Sequence, residues 1–182
     1  MIKTTNMQVG LVQWQQGDGI GSQISSTLES LGHEAVKVSI DEKLPDSLDV
    51  VLAYGPFGSL VPVANQLQAY PPSQRPLFVL WMTEQFPNPE LPEWVRSLGG
   101  NFRTQAERLA FRQSRPGEWE VNPRLRLLTT KAHRFRYYGD IFWLQRKGIL
   151  SLLVIGSQWT VDFLLERGFD AMVGYYGYHP DL

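Results

Sequence analysis

A three-layer α/β/α sandwich around a mainly parallel sheet of about six strands is the fold class this sequence predicts. Three observations lead there. Short runs rich in Val, Leu and Ile recur along the chain, with segments of helical spacing between them. The apolar residues of those runs are not confined to alternate positions, as expected of strands covered on both faces. Glycine, finally, stands where helices hand over to strands.

Gln8–Trp14 is the first strand, and Gly17-Asp18-Gly19-Ile20-Gly21-Ser22 reads as a flexible turn after it. A helix follows with Ile20, Ile24, Leu28 and Leu31 on one stripe, ended by Gly32. His33–Ile40 is the second strand, completing a βαβ unit, which is parallel and right-handed. Asp49–Ala53 gives a third strand that ends in Tyr54-Gly55-Pro56-Phe57-Gly58, and a short helix spans about Val61–Gln68 before the break at Tyr70-Pro71-Pro72-Ser73. Pro76–Trp81 is the fourth strand, running into Met82-Thr83-Glu84-Gln85-Phe86-Pro87. Leu91–Lys147 is helical in pattern, with interruptions at Gly99-Gly100, Pro116-Gly117 and Pro123. Its strongest helix is Lys131–Lys147, with Phe135, Tyr138, Phe142 and Leu144 among the apolar positions. Strands at Leu150–Ile155 and Ala171–Tyr176 flank a helix that opens at Ser157 and closes at Gly168. Residues 1–182 therefore form one Rossmann-like domain, with no internal repeat or low-complexity segment.

Composition narrows the function classes. With 43 % hydrophobic and 19 % charged residues among 182, the chain can bury a sizeable core. No apolar run approaches the roughly 18–20 residues that a bilayer requires. Met1–Asn6 lacks the apolar core of a signal peptide, so a cytoplasmic location is expected. The absence of cysteine excludes disulfides, thiolate metal sites and thiol nucleophiles. His33, His133 and His179 are far apart and lack metal-ligand spacing, so no metal site is expected. Net charge is −1 but uneven: Arg103–Lys147 holds eleven basic against four acidic residues, hence +7, and the remainder is −8. That basic section, residues 103–147, is open to contact with anionic lipid or a phosphorylated acceptor, or is simply a solvated helical face. The near-neutral total argues against a dedicated nucleic-acid binder.

Ligands in open α/β sheets bind at the carboxyl ends of the strands. Those ends carry Trp14, Tyr54, Gly55, Glu84 and Ser157. Gly17, Gly19 and Gly21 bring backbone N–H groups to a helix start, where a phosphate could approach. A dinucleotide fingerprint would place its glycines differently: here the spacing is G-x-G-x-G, Ser22 holds the last position, and Gln15 and Gln16 separate strand from turn. There is no acidic cluster after the first strand, no Gly-x-Ser-x-Gly elbow and no Walker loop. Glu84 is the one carboxylate placed to act as a general base toward a hydroxyl; the alternative role is a cap for the helix that follows.

Two segments carry a family likeness. One is Gly17-Asp-Gly-Ile-Gly21 with Leu28-Glu-Ser-Leu-Gly-His-Glu-Ala-Val-Lys-Val38; the other is Ser157–Gly168 with Tyr176-Gly-Tyr-His-Pro180. Together they resemble the amino-terminal domain of GT-B-type glycosyltransferases of the group-1/family-4 kind. Tyr175 and Tyr176 depart from that pattern where proline often precedes the turn, and Glu84 stands where a histidine is common. The resemblance implies an acceptor-side half. Trp14, Tyr54, Gly55 and Ser157 would then face the acceptor, and Gly17, Gly19 and Gly21 the donor phosphates. Gly177 and Pro180 would form the hinge, and Glu84 would be the catalytic base. The nucleotide-sugar donor would bind mainly through a carboxyl-terminal domain outside this sequence, with no resident cofactor. The competing expectations are a nucleotide- or small-molecule-binding regulatory module and a fragment of an NAD-linked oxidoreductase.

Overall fold

The computed structural model describes residues 6–13, 19–39, 42–55, 59–83, 91–115, 118–132, 135 and 137–174. Six parallel strands form the central sheet: β1 (Gln8–Gln13), β2 (Glu34–Ser39), β3 (Val50–Tyr54), β4 (Leu77–Met82), β7 (Leu150–Ile155) and β8 (Ala171–Val173), in the order β2-β1-β3-β4-β7-β8. An antiparallel hairpin of β5 (Phe111–Arg115) and β6 (Glu118–Val121) lies outside it. The expected α/β sandwich with a parallel sheet is therefore the fold.

Alternation along each strand divides the core in two. Val9 and Leu11 of β1 pack with Tyr54 of β3 against Ile24 and Leu28 of helix α1 (Gly19–Ser30). The larger core takes the opposite side chains, among them Val12, Val51, Phe78, Leu80, Leu153 and Ile155. Helices α2 (Val61–Ala69), α5 (Tyr138–Arg146) and α6 (Gln158–Leu165) close over it. A side chain buried as fully as Leu80 or Leu153 contributes about 1.5–3 kcal/mol.

β2 and β3 flank β1 on opposite sides, and the connection between them is an extended crossover rather than a helix. Leu44 and Leu48 bury against the sheet along this path, and a Cβ on Gly10 would lie 2.6 Å from Leu48 Cδ1. Gln66 of α2 pins the crossover at two points: its Oε1 accepts from Leu44 N (2.8 Å) and its Nε2 donates to Glu42 O (2.9 Å).

Four local expectations are corrected. Gly19-Ile20-Gly21-Ser22 is the first turn of α1, not a flexible turn; in a first turn the N–H groups have no helical partners in any case, so glycine costs little there. The carboxyl end of α1 agrees with the sequence: Gly32 has φ +85, Gly32 N donates to Glu29 O and His33 N to Leu28 O, both at 3.0 Å, which is a Schellman cap. Gly99-Gly100 does not interrupt its segment, because α3 runs unbroken over Glu93–Ala110. Lys131–Lys147 is not one helix: α4 (Pro123–Lys131) stops, Tyr137 takes φ +69, and α5 begins at Tyr138. The hairpin replaces predicted helix, pairing Arg112 with Glu120 and Arg115 with Glu118 across the strands.

Glycines explain why α3 runs unbroken where an interruption was expected. A Cβ on Gly139 would fall onto the backbone carbonyl of Gly100 and 2.5 Å from Thr104 Oγ1; one on Gly100 would sit 2.7 Å from Gly139 N. Only helices bare at the crossing can approach so closely. Two ion pairs complete this layer, Arg103 Nη1 to Asp140 Oδ2 at 2.7 Å, which is buried, and the half-buried Arg126 to Glu107. Thr104 Oγ1 also donates to Asp140 Oδ1 at 2.6 Å. Polar contacts and small residues, rather than a wide apolar seam, hold α4 and α5 to α3.

Candidate functional site at the sheet switch point

The strand order reverses direction at β1. From β1 the chain goes to β2 at one edge, then returns past β1 to β3 and proceeds to β4, β7 and β8 at the other. α1 covers one face of the sheet and α2 the opposite one, so the two crossovers part above the carboxyl ends of β1 and β3. A crevice at this position is where doubly wound sheets bind ligands.

The amino end of α1 borders the crevice. Its first turn, Gly19-Ile20-Gly21-Ser22, has no acidic side chain, so the partial positive charge of the helix end is not neutralised from within that turn. Gly19 is exposed, and a Cβ there would meet no atom within 4 Å, whereas Gly21 is buried. Lys37 on β2 reaches toward the same turn, its Nζ 3.5 Å from Ser22 Oγ. The exposed Gly19 at the helix start and a nearby ammonium suit an anion.

The other border is the pair of exits from β3 and β4. Tyr54 is 5 % exposed and packs in the α1-side core, so its side chain forms wall rather than open surface. Gly55 N donates to Trp81 O at 2.9 Å, and a Cβ on Gly55 would sit 3.0 Å from Thr83 Oγ1. A side chain at Gly55 would have little room because the two strand exits run side by side. Ser59 is buried just beyond, with its Oγ accepting from Val61 N at 3.3 Å. Ser157 is exposed at the end of β7 and is the N-cap residue of α6, with no capping bond from its side chain.

Of the residues singled out in the sequence, Gly19, Gly21, Tyr54 and Gly55 border the β1–β3 crevice, and Ser157 lies two strands away on the same edge of the sheet. Trp14, Gly17, Glu84, Gly177 and Pro180 fall outside the described residues. No group of three or more His, Asp or Glu with metal-binding geometry occurs among the described residues.

A second hollow, of about 340 Å³, opens between α3 and α5. Glu93, Trp94, Asn101, Tyr138, Phe142 and Arg146 line it. Burial, and then the Glu93 carboxylate, push the Tyr138 hydroxyl above its ordinary pKa, with Arg96 and Arg167 opposing. Sequence reasoning missed this hollow, because it depends on the Gly100–Gly139 crossing that brings two helices distant in sequence together.

Comparisons with protein-family profiles, with curated proteins and with solved structures found no match.

Proposed function

We propose that this chain is the acceptor-side half of a GT-B-type glycosyltransferase, transferring a sugar from a nucleotide-sugar donor to an acceptor hydroxyl. The supporting observation is the first turn of α1, which carries no acidic side chain and borders the crevice of a doubly wound parallel sheet. The N–H groups of Gly19 and Gly21 suit the phosphates of a donor held mainly by a second lobe. Gly55, Ser157 and the segments after β1 and β4, which include Trp14 and Glu84, would face the acceptor. Glu84 is assigned as the base that takes the hydroxyl proton.

The test has two arms. Calorimetric titration of residues 1–182 should give no submillimolar binding of NAD and only weak binding of nucleotide-sugars. Release of nucleoside diphosphate from a donor panel by the full-length gene product should fall at least 100-fold in Glu84→Gln, with donor KM little changed. Submillimolar NAD affinity would overturn the assignment in favour of a dinucleotide domain. Tight nucleotide binding without transfer would replace it with a regulatory binding module.

A further inference from the structure

The longest helix presents an apolar stripe to solvent. On α3, Trp94 is 67 % exposed, Leu98 64 %, Phe102 59 % and Leu109 69 %. At the α-helical period these four fall within an arc of about 80°. The opposite side of the helix, with Gly100, Arg103, Thr104, Ala106, Glu107 and Ala110, is the buried one. The exposure is therefore not that of a frayed or misplaced helix.

Glu93, beside Trp94, is paired with Arg167, and the section that follows from Arg103 onward is strongly basic. Glu107 and Asp140, two of the four acidic residues between Arg103 and Lys147, are consumed in the pairs with Arg126 and Arg103. Nine basic and two acidic residues remain in that section once the pairs are set aside, so its net +7 belongs to groups outside those pairs. Arg108 on α3, Arg112 on β5, and Arg124 and Lys131 on α4 are exposed. A second copy is a poor occupant, since an isologous contact would set two such basic sections against each other. Nucleic acid would meet the cations but leave Leu98 and Leu109 without a partner, since bases stack on aromatic rings. An anionic bilayer satisfies both features: Trp at the headgroup level, Leu and Phe at the acyl boundary, Arg and Lys against acidic headgroups.

We propose that the α3 face bearing Trp94, Leu98, Phe102 and Leu109 docks peripherally on an anionic lipid surface. Insertion is shallow, since no helix among the described residues is long and apolar enough to cross a membrane. The docking involves no donor or acceptor site, so its test stands apart from that of glycosyl transfer.

Co-sedimentation with vesicles of phosphatidylcholine mixed with phosphatidylglycerol should show binding that weakens with added salt and is absent on phosphatidylcholine alone. The double substitution Leu98→Ser/Phe102→Ser should weaken it about tenfold or more. Arg124→Gln and Lys131→Gln should each cost about fivefold. Brominated acyl chains should quench part of the tryptophan emission, and that part should vanish in Trp94→Phe. All these side chains are exposed, so an unchanged circular dichroism spectrum and melting temperature confirm that each variant is folded. Failure of the wild-type chain to bind anionic vesicles, or equal binding by Leu98→Ser/Phe102→Ser, would overturn the proposal. So would a dimer in sedimentation equilibrium that the same double substitution dissolves.

Discussion

Replacing Gly139 by alanine tests the claim that bare backbone sets the α3–α5 crossing. The added Cβ would overlap the carbonyl of Gly100 and approach Thr104 Oγ1 to 2.5 Å. Ordinary carbon–oxygen contact needs about 3.5 Å, so α5 must withdraw by an ångström or more. Neither neighbour can rotate away: one is helix backbone, and the other is held by its bond to Asp140 Oδ1 at 2.6 Å. Withdrawal also stretches the 2.7 Å contact between Arg103 and Asp140, the residue next to the substitution. Overpacking alone costs about 1–3 kcal/mol, and a weakened buried pair adds to it. Alanine's better helix propensity returns at most about 1 kcal/mol. A net loss of about 2–4 kcal/mol is expected, lowering the urea midpoint by about 1–2 M for a typical slope of about 2 kcal/mol/M. Gly19→Ala is the control, because its Cβ meets nothing within 4 Å, and it should leave the midpoint unchanged or slightly higher. A Gly139→Ala midpoint equal to that of the wild type would refute the close-crossing argument.

Two further outcomes follow from the same layer. Asp140→Asn leaves the Arg103 guanidinium buried without its counter-charge and should destabilise by about 3–5 kcal/mol, measured by urea unfolding; adding Arg103→Met should recover much of that loss. Burial and Glu93 raise the Tyr138 pKa on folding, so the folded state holds that proton more tightly than the unfolded chain. The contribution is fully present below the unfolded value of about 10 and is lost as pH rises through the folded one. Stability should thus fall more steeply between pH 9 and 11 in the wild type than in Tyr138→Phe, as read from urea midpoints across about that range.

The sheet was legible because its strands are written in one chemical register. Val50–Tyr54 and Leu150–Ile155 have apolar side chains on both faces, and few alternatives bury both. The errors share a cause: glycine was read as local punctuation where tertiary contact governs. Gly99 and Gly100 lower helix propensity, yet α3 persists because they admit Phe135 and Gly139. The β5–β6 hairpin was within reach, since Pro116-Gly117 is a turn signal and Arg112 stands in register with Glu120. The stop between α4 and α5 was not, because no glycine or proline marks residues 132–137 and the strained Tyr137 backbone is buried under neighbouring elements. At the candidate site, strand ends could be placed to within a residue or two. The roles of Trp14, Gly17 and Glu84 could not be placed, as they fall outside the described residues.

The position of the hairpin has a consequence for how this chain can vary. β4 and β7 are adjacent strands, and α5 already supplies the helix that a parallel crossover between them requires. The stretch from α3 to α4 is therefore a detour, leaving and rejoining the fold at neighbouring points of one sheet edge. Lengthening or remodelling it leaves every strand register intact, provided Gly139 and Asp140 keep a partner. Surface chemistry can therefore change on this outboard segment without altering the strand order that places β1 beside β3.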